Sequence, residues 1–379
     1  MRVSLMVTCV LMLFGCSKNY TSNERNGVIY VQNTINAKNV TKLSVVTSRT
    51  LADSEYLYMG AVNALTGDVL LGTAHAKTRK ESLRMYDAGL NEQVVMIKKE
   101  GKGPGEFSSW IPYFGFVDNS VVVLDGMKRT LEVFDTQLKH QDSVLLQGEF
   151  QLYRGPSHVA YAPDGYVFAP TVPYYAVRTD KEGKIINGIP TDLKTETQEE
   201  RVKLYGYNAN VMRQDTTRLY LAFQEGEDRY ELRVYDFSLV PLMEIKNNDP
   251  LNSVLCAKQI KIADGSVQPV GALTVSDFCV TEKYIYVVRA SGGYISYTQS
   301  YKKRTWGKVP GVEHPYIDVF DKTSGQYVKR IEMPFLDTRI QVQLFTRNTT
   351  FYVIASAAFG EDETLIEGSN TVYICNEMQ

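Results

Sequence analysis

The sequence predicts an all-β fold, a six-bladed β-propeller whose ring is closed by an N-terminal strand completing the last blade. Three observations lead there. Six times the chain pairs a short apolar run with a second alternating run that ends near Asp or Asn. The endings are Asp87, Asp135, Asp180, Asp236, Asp321 and Asn376, so the repeat recurs at intervals of 48, 45, 56, 85 and 55 residues. A period of this size signals repeated supersecondary units rather than one irregular sheet. Finally, the last unit stops at Gln379 without an outer strand, while Thr41-Lys42-Leu43-Ser44-Val45-Val46 near the other end can supply one. Ring closure by both termini removes the free edges that otherwise invite aggregation.

Taken in chain order, residues 1–16 read as a targeting segment. Met1-Arg2 is a minimal positive region and Val3–Phe14 an apolar stretch, shorter than the roughly 20 residues that span a bilayer. Leu13-Phe14-Gly15-Cys16 has the pattern of a bacterial lipobox, with Cys16 as the lipidated residue. Membrane attachment is then expected through the lipid anchor alone. Residues 17–26 are polar and read as a tether, and residues 27–379 as one propeller domain.

Within that domain the first runs are Asp68–Leu71, Val121–Leu124, Tyr166–Phe168, Leu219–Phe223, Tyr284–Val288 and Phe351–Ile354. Their period-two character reads as half-buried strand. Thr66-Gly67-Asp68, Pro163-Asp164-Gly165 and Asn348-Thr349-Thr350 supply turn chemistry before them. After each Asp comes another turn and a third run, such as Gln93–Ile97 or Tyr327–Ile331, then a strand leading into the next unit, such as Tyr113–Val117. Four antiparallel strands per unit make a propeller blade. The repeated Asp is expected to cap the turn that follows it. A ring of such carboxylates cannot converge on a calcium ion, which takes 6–8 oxygens.

The chain also carries Gly101-Lys102-Gly103-Pro104-Gly105-Glu106-Phe107. With the lipobox and the repeat, this segment resembles the six-bladed β-propeller lipoproteins of Bacteroidetes, which are similar to TolB-like and NHL-like propellers. The resemblance implies the fold and an envelope location and carries over no catalytic residue. It also implies the outer membrane, and because Ser17-Lys18-Asn19-Tyr20 lacks the acidic run that marks surface export in that group, a periplasm-facing anchor. On the residues alone, the glycine segment departs from G-x-G-x-x-G and has no following helix, so it reads as a structural turn rather than a phosphate cradle.

The interval between Asp236 and Asp321 is long, and the excess is expected between Ala290 and Tyr316. Ser291–Lys308 is dense in aromatics and cations, which suits sugar rings, peptide side chains or carboxylates; the alternative is a hairpin extension packed on its own ring. Antiparallel order puts this insertion, the connectors between units and the loops at 76–80, 127–129, 174–175 and 225–228 on one face. The candidate ligand-binding residues there are Trp306, Tyr297, Tyr301, Lys303, Arg304, Tyr205, Tyr207, Trp110 and Tyr174. The expected partner is an envelope protein or a glycan.

A net charge of -2 gives no nucleic-acid footprint. No H-E-x-x-H, C-x-x-C or G-x-S-x-G stands in the chain, so no catalytic or metal residue and no cofactor is assigned. Of the four histidines, His75 and His314 map to the elaborated face. Cys279 and Cys375 lie in apolar runs and read as buried small hydrophobes. The reading is a monomeric binding propeller without catalysis. The alternative is a propeller lyase or lactonase with a metal in the central channel.

Overall fold

In the computed structural model the described residues are 20–35, 38–108, 111, 113–117, 119–148, 151–152, 158–169, 171–172, 174–190, 211–225, 229–249, 258–261, 267–270, 275–297, 304–359 and 364–378. Among them the chain is all-β, with no helix and several separate sheets. Six four-stranded antiparallel units follow one another. The first is Glu55–Val62, Val69–His75, Glu81–Tyr86 and Glu92–Ile97. The second is Tyr113–Val117, Ser120–Asp125, Thr130–Phe134 and His140–Leu145. The third is His158–Ala162, Gly165–Ala169, Tyr174–Asp180 and Ile185–Pro190. The fourth is Met212–Gln214, Arg218–Glu225, Arg229–Asp236 and Pro241–Asn248. The fifth is Asp277–Val280, Tyr284–Arg289, Tyr316–Asp321 and Tyr327–Glu332.

The sixth unit takes Val342–Arg347, Thr350–Ala355 and Thr371–Glu377 from the end of the chain and Val40–Thr50 from its beginning. Leu43 pairs with Glu377 and Thr50 with Thr371, antiparallel. The same long strand runs parallel to the fifth unit at Val40–Lys42, opposite Arg330–Glu332. First strands of consecutive units neighbour one another, and the sixth neighbours the first, so the six form a closed cycle.

Six hydrophobic clusters lie between consecutive units, one per junction. Val121 and Val123 pack toward the first unit with Leu70 and Phe114. Val122 and Leu124 pack toward the third with Phe168 and Val177. Val69 and Leu71 face the sixth unit with Tyr352 and Ile354. The second strand of each unit is therefore buried on both faces, whereas the alternation had suggested half-burial. Burial on both faces is why such runs read as continuous Val-Val-Val-Leu rather than as apolar–polar alternation.

The repeated Asp caps the turn between third and fourth strands. Asp87 Oδ1 accepts from the Gly89 and Asn91 amides, Asp135 from Gln137 and Lys139, and Asp236 from Ser238 and Val240. Asp180 and Asp321 do the same for Lys184 and for Thr323 and Ser324. Each of these turns carries a register shift and a residue in the left-handed region: Leu90, Leu138, Gly183, Leu239 and Gly325. A left-handed leucine costs about 1–2 kcal/mol, and here its burial offsets that cost, since Leu90, Leu138 and Leu239 are all buried. Asn376 caps nothing comparable, because its strand pairs with Val40–Thr50 instead of turning.

Two expectations change. Tyr20–Arg25, expected to belong to a tether, is a strand paired with Val28–Thr34, which lies parallel to Pro241–Asn248 of the fourth unit. Its side chains are nearly all exposed, so its sequence is polar and carries no alternation. The long fifth interval divides between two insertions. One holds a hairpin of Tyr294–Tyr297 and Arg304–Gly307. The other, after Asn248, holds Lys258–Lys261 paired with Val267–Val270; runs of four residues interrupted by Pro269 are too short to stand out in a sequence.

Candidate functional site

Antiparallel order sends the connectors between units and the loops between second and third strands to the same side of each sheet. On that side the fifth and sixth units build a groove of about 970 Å³. Three segments line it: Lys308 to His314 from the fifth-unit insertion, Pro334 to Arg339 from the following connector, and Thr364 to Gly368 from the sixth-unit loop. The Gly292 and Gly293 amides donate to Ile340 and Thr338 carbonyls, and the Val309 amide to the Thr338 hydroxyl, so the insertion is sewn to the connector. Gly292 and Gly293 both have positive φ, which lets the chain double back at the base of the hairpin.

Asp337 is the electrostatic centre of the groove. Arg339 grips it bidentately at 2.9 Å on each oxygen, and Lys308 Nζ stands at 3.1 Å. Partial burial pushes the carboxyl up, but the Arg339 fork, the Arg339 amide and Lys308 outweigh it and hold Asp337 at about 2. His314 Nδ1 donates to the Leu336 carbonyl at 3.0 Å. This fixes the orientation of the ring and turns Nε2 toward the Glu313 carboxylate, 3.9 Å away. Phe335 stacks at a tilt on Tyr373, with centroids 4.8 Å apart, and Tyr373 Oη donates to the Gly368 carbonyl. The groove thus offers one aromatic pair, an ion triad and the exposed carboxylate of Glu313.

The residues expected to bind a ligand fall into three groups. Trp306, Arg304 and Tyr297 lie on the hairpin that precedes Lys308 in the chain, with Tyr297 opposite Arg304 and Ile295 opposite Trp306 in register. Tyr301, Lys303, Tyr205, Tyr207 and Trp110 lie outside the described residues, as does Cys16. Tyr174 is not in a loop. It opens the third strand of the third unit, and its ring lies over Gly188, where an added Cβ would meet it at 2.6 Å. Of the two histidines expected on this face, His314 lines the groove, while His75 Nδ1 accepts the Lys77 and Thr78 amides and holds a turn.

The glycine segment is a clasp. Gly103 and Glu106 carbonyls both accept from Lys128 Nζ, at 3.1 and 2.8 Å, and the Gly105 amide donates to Glu132. A Cβ at Gly101 would lie 2.0 Å from Glu106 Oε2 and would displace the carboxylate that accepts the Gly103 amide. The segment holds a lysine and a glutamate of the next unit, as a structural turn does.

A second cavity, of about 500 Å³, lies inside the cycle of first strands. Arg213 crosses it: Nε donates to the Phe278 carbonyl, one terminal nitrogen to His158 Nδ1 at 3.1 Å, and the other to Asp277 at 2.5 Å. Its guanidinium also sits 5.4 Å from the Phe345 ring centroid. Sequence reading passed over Arg213 and Asp277 because nothing local marks them. Among the described residues, no group of three or more His, Cys, Asp or Glu could hold a metal ion.

No family model matches the chain, and no curated protein matches it. Among solved structures, an exported protein of Bacteroides fragilis is 12% identical, covering 92% of this chain and 98% of its own, with a TM-score of 0.47. A member of the DUF4221 family from Bacteroides vulgatus is 10% identical, covering 90% and 99%, also with a TM-score of 0.47. Both are too distant to pass a ligand or an activity to this chain.

Proposed function

We propose that the chain is a lipid-anchored envelope protein whose six units are the blades of a β-propeller, and that it binds a glycan or an envelope protein without catalysis. The closed cycle of first strands and the six inter-unit clusters support the propeller reading. Cys16 in its lipobox supports the anchor, with the outer membrane and a periplasm-facing orientation as its setting.

The observation that carries the binding role is the groove of about 970 Å³ formed where the fifth-unit insertion, the connector after it and the sixth-unit loop meet. Propeller scaffolds position loops, and function is grafted on where the loops are elaborated. An aromatic pair beside a guanidinium, an ammonium and carboxylates suits sugar rings with their hydroxyls, or a polar peptide. The test is a glycan array and crosslinking to envelope proteins. It compares the mature chain with a variant lacking 294–307 and with Arg339→Ala. Loss of the same partner from both variants, with unchanged circular dichroism, is expected. Binding that survives the deletion places recognition elsewhere and ends the reading.

A further inference from the structure

The central cavity is separate from the groove, and its polar side chains have an uneven balance. The carboxylates that reach it are engaged. Asp277 accepts from the Phe278 and Leu344 amides and from Arg213. Asp215 accepts from the Thr217 and Arg218 amides, the Tyr220 hydroxyl and Lys322 Nζ. The amide oxygens of Gln214 and Gln343 accept the Tyr161 and Gly60 amides.

What remains are donors. A guanidinium always donates, so His158 Nδ1 is the acceptor of its bond to Arg213. Burial and then the Arg213 charge push the imidazole well below its ordinary range, so the ring is neutral and its hydrogen sits on Nε2. Neither that Nε2–H nor the Gln343 amide nitrogen has a partner among the described residues, and both side chains line the cavity. Arg213 offers five N–H groups, and its contacts to Phe278, His158, Met212 and Asp277 leave one more. The walls beside these donors are aromatic: Phe345 under Arg213, and Tyr113 edge-on to His158 with centroids 6.4 Å apart.

We propose that this cavity binds a small carboxylate-bearing molecule, whose oxygens take hydrogen bonds from His158, Gln343 and Arg213 and whose carbon skeleton lies against Phe345 and Tyr113. A carboxylate is acceptor-only and fits a site whose carboxylate and amide oxygens are already occupied and whose remaining polar groups, the Tyr161 hydroxyl among them, can donate. Cavities of about 300–1,000 Å³ with few convergent polar groups are the usual form of small-molecule sites.

The probe is benzoate, with benzylamine as its cationic counterpart, titrated into the mature chain by calorimetry and by saturation-transfer NMR. Benzoate is expected to bind and benzylamine not. Gln343→Glu keeps the oxygen that holds the Gly60 amide but replaces donors with a charge of the wrong sign, so benzoate should weaken by about tenfold or more with thermal stability unchanged. His158→Gln, which can still accept from Arg213 and donate inward, should retain more affinity than His158→Phe. Arg339→Ala in the groove should leave benzoate binding untouched. No benzoate binding, equal binding of benzylamine, or indifference to Gln343→Glu would each overturn the proposal.

Discussion

Lys128 Nζ stands 2.6 Å from Glu132 Oε1, and the pair closes the clasp that the glycine segment forms over the second unit. Glu132 is fully buried, yet it accepts from Lys128, Thr130, Ser143, His140 and the Gly105 amide. Removing one partner of such a pair leaves the other charge uncompensated, at a cost of about 3–5 kcal/mol. Glu132→Gln should therefore lower the unfolding free energy obtained from urea melts by an amount in that range, while Lys99→Ala, at the segment's edge, should not.

The same carboxylate sets an acid limit. Burial pushes Glu132 up, but Lys128, Ser143, Thr130 and the Gly105 amide together hold it at about 2. Its folded value lies below its unfolded value, so its stabilisation is complete above the unfolded value of about 4.3 and is lost as pH falls from there toward 2. Urea melts at pH 7, 5, 4 and 3 should show the wild-type midpoint falling across that window. In Glu132→Gln the fall should be shallower, with Asp337 accounting for part of what remains.

The left-handed leucines give an inverted mutational order. Leu138 has φ of 54° and is 6% exposed. Leu138→Ala loses the buried side chain and keeps the strain, costing about 2–4 kcal/mol. Leu138→Gly loses the same burial but relieves about 1 kcal/mol of strain. The glycine variant should melt at or above the alanine variant, the reverse of the usual ranking. An alanine variant clearly more stable than the glycine variant would contradict this account of the turn.

Ring closure can be tested at one residue. Leu43 is 1% exposed and joins the cluster between the fifth and sixth units. Leu43→Ala should cost about 2–5 kcal/mol, measured by denaturant melts. Removal of residues 17–25 should cost little, because that strand is exposed. Removal through residue 50 bares the edge of Thr371–Glu377 and should give aggregation, read by light scattering.

The repeat was legible because each unit buries the same pattern and the first five end in the same capped turn, as Asp87 and Asp135 show. The strand that completes the sixth unit was legible too, since a unit lacking its outer strand demands one and the run Thr41–Val46 could provide it. Less visible was Tyr20–Arg25, because an exposed edge strand need not alternate. The central cavity was invisible for a different reason. Arg213 meets residues 55 and 64 positions away, and no local spacing encodes a meeting of first strands across a ring. The groove was hidden too, because Asp337, Arg339 and Phe335 sit on a connector with no aromatic or basic density to draw the eye.

The long strand that joins the two ends of the chain also sets the order of events during folding. Thr41 donates to Glu377, 336 positions later, and Leu43 pairs with Glu377 in register. Contacts of such sequence separation form slowly, after the loop entropy of nearly the whole chain has been overcome. Val40–Thr50 therefore cannot be paired along its length until Thr371–Glu377 is in place. Five units can assemble in sequence while the sixth stays open, and the cycle of first strands is locked only when these two distant segments meet.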